Sequence, residues 1–350
     1  MSNRKKLAIC IPTYNRPQYL LCLLITICDQ LNDNNRNRIQ ICVSDNASEE
    51  SYDVVINYMK TQDVEFIYQK ADQNYGADIN FLKSVELANA EYCWLAGDDD
   101  GIISNGINIV LNYLEKHPEI SVFWGNRVVC DKNLKPFLKE QWTKKKKDFI
   151  VDFRDEHQVI QYFDQLNSTT SLGYLTSLII KKAEWDKETE NCQKYIGTIY
   201  VQVAQYLSML KGKGKMLCIH NHIALSRFGN DGFYKNLKQR IFMDYYGFLS
   251  ITDIFVNSPQ IVESLKGIIR RHYNKIFLCT MAYSNKLNKN DIKVLREIGY
   301  SANDIKIFHE CRALVLIQLG ICILKSAFTD FKWFIKTCFV TLQKIKDGGS

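Results

Sequence analysis

Three adjacent carboxylates, Asp98, Asp99 and Asp100, stand directly after the apolar run Tyr92–Ala96. Their charges repel one another, so a strand end that gathers them needs a counter-charge. A hard divalent cation, Mn2+ or Mg2+, held by one or two carboxylates and completed by a diphosphate, supplies one. The competing reading is an acidic turn opening a helix near Ser104, where the helix dipole favours negative charge. Three further polar loops argue for the first reading. Pro12-Thr13-Tyr14-Asn15-Arg16 follows the run Leu7–Ile11, Asp45-Asn46-Ala47-Ser48 follows Ile39–Ser44, and Asn74-Tyr75-Gly76 comes soon after Val64–Tyr68.

These loops need elements that bring them to one edge. Five strands are predicted at Leu7–Ile11, Ile39–Ser44, Val64–Tyr68, Tyr92–Ala96 and Ser121–Trp124, with helices over 17–30, 50–61, 77–89 and 104–116. Alternation of this kind predicts an α/β fold with a parallel, doubly wound sheet, in which ligands bind beyond the carboxyl ends of the strands. A returning strand over Gly173–Lys182, a helix over 195–211 and a strand at Met216–Ile219 follow, and from about 233 the pattern is helical.

Charge is unevenly placed. Residues 1–120 carry 10 basic and 17 acidic side chains, a net of −7, whereas 121–350 carry 35 and 21, a net of +14. That split disfavours a uniformly basic nucleic-acid binder and suggests a second half that meets phosphates or an anionic membrane. The run Lys144–Lys147 reads as a solvated loop or as part of such a contact. Residues 312–346 hold six basic side chains and one acidic, Asp330, among Phe331, Trp333, Phe334 and Phe339. Basic, aromatic and amphipathic together, they predict helices lying in a membrane interface, or packed on the domain or on a second copy of the chain. No run approaches 18 apolar residues, so a spanning helix is not expected. Twelve cysteines occur without C-x-x-C spacing, and Cys10, Cys42, Cys93, Cys130 and Cys218 sit among apolar residues. They read as core side chains in a reducing, cytoplasmic compartment.

Ile11–Arg16, Val43–Ser48, Asn74–Gly76 and the acidic loop, in this order and spacing, resemble the nucleotide-sugar domain of family 2 glycosyltransferases with the GT-A fold. Tyr92-Cys93-Trp94, Ser177–Lys182 with Trp185, and Tyr195-Ile196-Gly197-Thr198 are similar to the bacterial abequosyltransferase group of O-antigen synthesis. The resemblance implies a GT-A domain over 1–232, with a nucleotide-sugar half (1–125) and an acceptor half (126–232), followed by a helical region over 233–347. It implies that Pro12, Thr13, Tyr14, Arg16 and Asp45 hold nucleobase and ribose, and that Asn74 and Gly76 shape the next wall, where glycine permits close backbone approach. The family's acidic motif is Asp-x-Asp-Asp; here Gly97 replaces the first acid and Asp99 and Asp100 fall on the last two positions. Asp99 becomes the expected metal ligand with Asp100 beside it, and Asp98 takes over the ribose contact. Leu225–Gly232 resembles the loop that closes over the diphosphate, with Arg227 as its phosphate donor fork.

The implied reaction moves a sugar from a nucleoside diphosphate, a CDP-sugar being favoured and a 3,6-dideoxyhexose such as abequose being one candidate, to a saccharide acceptor. That acceptor is expected to be polyprenyl-diphosphate-linked, at the inner face of a bacterial membrane. Many relatives place an acidic base in the acceptor half, yet Tyr195–Gln202 contains no acid. Asp231 first, then His220 and His222, are the substitutes; alternatively, the leaving phosphate takes the proton and configuration is retained. A nucleotidyltransferase and a non-catalytic nucleotide-sugar-binding protein are the other classes. The first would need a Gly-rich phosphate loop near the first strand, which Pro12–Pro17 lacks.

Overall fold

The structure is a computed structural model and describes residues 4–229, 237–274 and 287–305. By internal contacts the chain separates into two compact units, Met1–His272 and Tyr273–Ser350. In the first unit, β1 (Lys5–Thr13), β2 (Ile39–Asp45), β3 (Glu65–Lys70) and β4 (Ala90–Leu95) alternate with α1 (Pro17–Cys28), α2 (Asp53–Lys60) and α3 (Ala77–Glu86). These strands lie parallel in the order β3-β2-β1-β4. Every residue of β2 and all but the first two of β1 are buried, which is why the runs read as continuously apolar instead of alternating. Pro17 opens α1 at a position where its missing N–H costs nothing.

The sheet continues through β5 (Gly101–Ile102), β6 (Val122–Cys130), β7 (Pro136–Glu140), β8 (Phe149–Asp152), β9 (Leu178–Lys181) and β10 (Lys215–Arg227). β9 runs antiparallel between β4 and β6, and β6 pairs with β10 in parallel, so the full order is β3-β2-β1-β4-β9-β6-β10-β5. α4 (Gly106–Lys116) covers one face with α1: Leu20, Leu23, Leu24 and Ile27 join Ile107, Val110, Leu111 and Leu114 over Leu7, Ile9 and Ile11 in the core. α5 (Glu156–Gln165), α6 (Thr170–Gly173), α7 (Lys182–Glu188) and α8 (Val201–Leu210) complete the domain, and α9 (Leu237–Thr252) and α10 (Pro259–His272) belong to the same compact unit. The second unit contributes α11 (Lys289–Ile298), closed at its start by a capping box between Asn288 and Asp291.

Differences from the sequence reading have local causes. The predicted helix over 195–211 begins only at Val201, because Gly197 (φ +93°) and Ile199 (φ +61°) are left-handed and cannot continue a right-handed helix. The predicted strand over 173–182 is strand only from Leu178; Leu175–Ser177 form a 3-10 turn whose Thr176 carbonyl accepts the Trp94 indole N–H at 2.9 Å. Met216–Ile219 proves to be the start of a 13-residue strand that shifts register around His222. Cys10, Cys42, Cys93, Cys130 and Cys218 are free and buried. No helix among the described residues is long and apolar enough to cross a membrane. The basic helices expected over 312–346 lie outside the described residues.

Candidate active site

The carboxyl ends of β1 and β2 stand level, with Thr13 beside Asp45, while β4 ends earlier, with Leu95 beside Cys10, so that the acidic loop runs on alongside the end of β1. A cavity of about 400 Å3 opens there, with Pro12, Arg16, the acidic loop and Arg227 on its lining. Thr13 Oγ1 donates to Asp98 Oδ2 at 2.8 Å, and Arg16 Nη1 reaches Asp98 Oδ1 at 3.5 Å and Asp99 Oδ2 at 3.1 Å. Thr176 uses its hydroxyl twice, donating to Asp100 Oδ2 and accepting the Gly97 N–H at 3.0 Å. Burial and then the Asp99 charge push Asp98 up to about 7, against the pull of Arg16 and Thr13. The same two causes push Asp100 up to about 7, opposed by Thr176, Tyr174 and Arg127.

Burial and crowding thus disfavour the charged forms of two of the three carboxylates, and a cation bound at the loop would favour them. The space above Gly97 is already occupied: a Cβ built there would meet Asp100 Oδ2 at 3.0 Å and Asp99 Oδ1 at 3.2 Å. Gly97 thus lets two carboxylate oxygens converge where a first acid would otherwise stand. Among the described residues, no three His, Cys, Asp or Glu side chains form a metal-holding group. A cation here would take Asp99 and Asp100 and draw its remaining ligands from water and a diphosphate, a shell suited to Mg2+ or Mn2+.

Arg227 is fixed beside this loop. Its Nε donates to the Asp99 carbonyl at 2.9 Å, its Nη1 to the Lys132 carbonyl, and its guanidinium lies 4.8 Å from the Tyr19 ring centroid. Its Nη2 is buried without a hydrogen-bond partner, a donor that an anion in the cavity would satisfy.

The loops after β1, β2 and β3 are tied to each other. Asn15 (φ +52°) accepts the Glu49 N–H at 2.8 Å, and its own N–H donates to Ser48 Oγ at 2.8 Å. Asp45 is fully buried; its Oδ1 accepts the Ser48 N–H at 2.9 Å and its Oδ2 the Tyr68 hydroxyl at 2.5 Å. Asn46 bonds Asn74 Oδ1 at 2.8 Å and the Tyr75 N–H at 2.9 Å, which joins the second loop to the third. Tyr14 is 39% exposed, and Thr13, Tyr14, Asp45, Asn74 and Gly76 are not among the residues lining the cavity. Gly76 takes a left-handed φ of +86°, which favours glycine, and nothing of the chain lies within 4 Å of its would-be Cβ.

The opposite wall of the cavity comes from α6, α8 and α9; the sequence reading reached it only through Tyr195–Gln202 and named neither Arg240 nor Asp244. Thr169, Thr170, Tyr200, Gln202, Arg240 and Asp244 line it. Asp244 is fully buried: Tyr200 OH donates to its Oδ1 at 2.9 Å, Thr169 Oγ1 to its Oδ2 at 2.8 Å, and Arg240 pairs with it one helical turn away. Asp78, at the start of α3, accepts the N–H groups of Gly197 at 2.7 Å and Ile199 at 2.9 Å; burial raises its pKa and these donors lower it. The available signal was an aspartate and a glycine inside the otherwise apolar helix Ile241–Leu249.

Of the proposed bases, His220 lines a separate small cavity with Trp142 and Cys218, and His222 is not among the residues lining the acidic cavity; burial lowers its pKa. Asp231 lies outside the described residues. Lys144–Lys147 are exposed, with Lys145 Nζ 4.0 Å from the Phe149 ring centroid.

Comparison with known proteins agrees with this geometry. Residues 8–181 match the family model "Glycosyl transferase family 2". Over 327 residues the chain is 29% identical to the abequosyltransferase RfbV of Salmonella typhimurium, covering 91% of this chain and 97% of that protein. Among solved structures, S. aureus TarS residues 1–349 in complex with UDP-GlcNAc superposes with a TM-score of 0.60 at 13% identity, covering 84% of this chain and 80% of that one. The mannosyltransferase PcManGT of Pyrobaculum calidifontis, in complex with GDP-Man and Mn2+, gives 0.55 at 12% identity over 95% of this chain and 83% of that one. With strand order, acidic loop and sequence in agreement, the chain belongs to the family 2 glycosyltransferases of the GT-A fold.

Proposed function

We propose that this glycosyltransferase uses a divalent cation, Mn2+ or Mg2+, to transfer a 3,6-dideoxyhexose such as abequose from a CDP-sugar to a saccharide carried on a polyprenyl diphosphate. The observation that carries the reading is the joining of Asp99, Asp100 and Arg227, with its unpartnered Nη2, in one cavity at the carboxyl ends of the parallel strands. Similarity to the Salmonella abequosyltransferase along 91% of the chain supports the donor class. The inner face of the bacterial membrane is the expected place of action, with residues 233–347 supplying the membrane contact or a contact between copies.

In this reading Thr13, Tyr14, Arg16, Asp45, Asn74 and Gly76 hold the nucleoside, and Asp98, steadied by Thr13, receives a ribose hydroxyl. Asp99 and Asp100 would hold the cation, which supplies charge neutralisation at the diphosphate. Arg227 directs Nη2 at the phosphate oxygen on which charge grows as the bond from sugar to phosphate breaks. Arg16 carries its positive charge along the same edge. Asp231 takes the proton of the attacking hydroxyl; retention of its turnover by Asp231→Asn would transfer that role to the leaving phosphate.

The test is a screen of CDP-, UDP-, GDP- and dTDP-sugars with Mn2+ or Mg2+, read as nucleotide released. One donor hydrolysed in a cation-dependent manner supports the proposal. Release that persists undiminished in excess chelator contradicts the cation, and preference for another nucleotide contradicts the CDP assignment.

A further inference from the structure

At the other end of the sheet, where β6 and β10 begin, Lys211-Gly212-Lys213-Gly214-Lys215 makes a turn whose shape depends on its glycines. Gly212 takes a left-handed φ of +68°, and a Cβ on Gly214 would stand 3.0 Å from Leu210 Cα and 3.1 Å from the Met209 carbonyl oxygen. Two backbone bonds tie this turn to the residue after β8. The Gly212 N–H donates to the Phe153 carbonyl at 3.2 Å, and the Phe153 N–H to the Gly214 carbonyl at 3.0 Å. A third, from the Ser121 N–H to the Lys215 carbonyl at 3.2 Å, joins the turn to the start of β6. These bonds, with α7 alongside, enclose a cleft of about 400 Å3 lined by Arg154, Lys187, Lys213 and Lys215 and by two acids, Glu119 and Glu184.

The carboxylates around the cleft are engaged or hydrated. Asp152 pairs with Arg154, Glu188 with Lys213, and Glu184 lies 4.0 Å from Lys181 Nζ, while the Glu119 side chain is 51% exposed. Lys187 and Lys215 form no ion pair and no side-chain hydrogen bond among the described residues. Lys215 acts on Asp152, its ladder neighbour, only through its field. Two ammonium groups thus line one cleft without a carboxylate bonded to either, and a doubly charged anion would match them. We propose that this cleft is a phosphate-binding site, separate from the acidic cavity, that takes a dianionic phosphate group. Lys187 and Lys215 supply the charge, and Arg154 and Lys213 stand beside them as further donors. Lys215 opens the 13-residue strand β10 and Arg227 closes it, so at about 3.3 Å per residue the two sites lie roughly 35 Å apart along one strand. The assignment does not depend on what binds the acidic cavity. A soluble phosphate monoester and a lipid with a phosphomonoester headgroup present the same chemistry to it.

The test uses the full chain without added metal. Glycerol 1-phosphate, read by calorimetry, and vesicles of phosphatidic acid in phosphatidylcholine, read by co-sedimentation, are the probes. The wild-type protein binds at least one of them, and Lys187→Gln combined with Lys215→Gln weakens that binding at least tenfold. Lys144→Gln combined with Lys146→Gln removes the same charge from the exposed lysine run and leaves the binding within twofold. Loss of glycerol 1-phosphate binding in the cleft variant identifies a soluble phosphate compound as the ligand, and loss confined to vesicles identifies a lipid headgroup; either result supports the site. Unchanged binding of both probes in the cleft variant overturns the proposal, as does a wild-type protein that binds neither. An equal loss in the Lys144 and Lys146 variant overturns it too, because binding would then follow total charge and not the cleft.

Discussion

Replacing Gly247 by alanine reverses the usual sign of that substitution. In the middle of a helix, glycine to alanine ordinarily stabilises by about 1 kcal/mol, because alanine loses less backbone entropy. Here the new methyl would lie 2.2, 2.8 and 2.9 Å from three carbons of the Tyr200 ring, where carbon atoms normally stand about 3.5–4 Å apart. The ring must retreat by more than an ångström, and Tyr200 is buried beneath Phe248. Overpacking of this kind costs about 1–3 kcal/mol. If the shift also breaks the 2.9 Å bond from Tyr200 OH to buried Asp244, a further 1–3 kcal/mol or so is lost with that charged hydrogen bond. Net destabilisation of about 2–4 kcal/mol is expected in a urea titration at pH 7, with the slope unchanged. In a Tyr200→Ala background the clash disappears, and Gly247→Ala should become neutral or stabilising. A stabilising effect in the wild-type background, or the same loss with and without the Tyr200 ring, would refute the packing argument.

Three more outcomes follow from particular groups. Thr169 donates its backbone N–H to His272 Nδ1 at 3.2 Å, and burial, with Arg240 adding to it and Asp244 opposing, pushes this imidazole down to about 4. A depressed folded-state pKa means that the unfolded chain takes up the proton first. The contribution is complete above about pH 6.5 and is lost as pH falls toward 4, about 3 kcal/mol in all; urea midpoints at pH 7 and 4.5 should differ by less in His272→Gln than in wild type. Gly76→Ala should cost about 1 kcal/mol through its φ of +86°, without any steric clash, and should weaken nucleotide binding in calorimetry only modestly. Arg227→Ala should weaken nucleoside diphosphate binding by at least tenfold while leaving nucleoside binding unchanged if, as proposed, its unpartnered Nη2 serves the phosphates; equal losses for both ligands would contradict that role.

The loops after β1, β2, β3 and β4 were legible in the sequence because their signals are local. Each polar loop follows an apolar run within a few residues, and a parallel sheet brings the carboxyl ends of such runs to one edge whatever lies between them. Asp98, Asp99 and Asp100 declared themselves by adjacency. The cluster around Asp244 was not legible because its members are far apart in the chain: Thr169, Tyr200 and Asp244 meet only after α8 and α9 have packed. The left-handed Ile199 is likewise invisible in a segment whose composition reads as helix. The left-handed φ of Gly76 is a further feature that only the structure shows, although the glycine itself stands out in the sequence.

The measurement that tests the central claim most directly is calorimetric titration of CDP into the full chain with and without Mn2+, for wild type and Asp99→Asn. The account predicts binding that Mn2+ strengthens at least tenfold in wild type and leaves unchanged in Asp99→Asn, with both proteins melting at similar temperatures. Equal strengthening in the two proteins would show that Asp99 does not hold the cation. Absence of CDP binding to wild type under either condition would contradict the assignment of the cavity to a CDP-sugar.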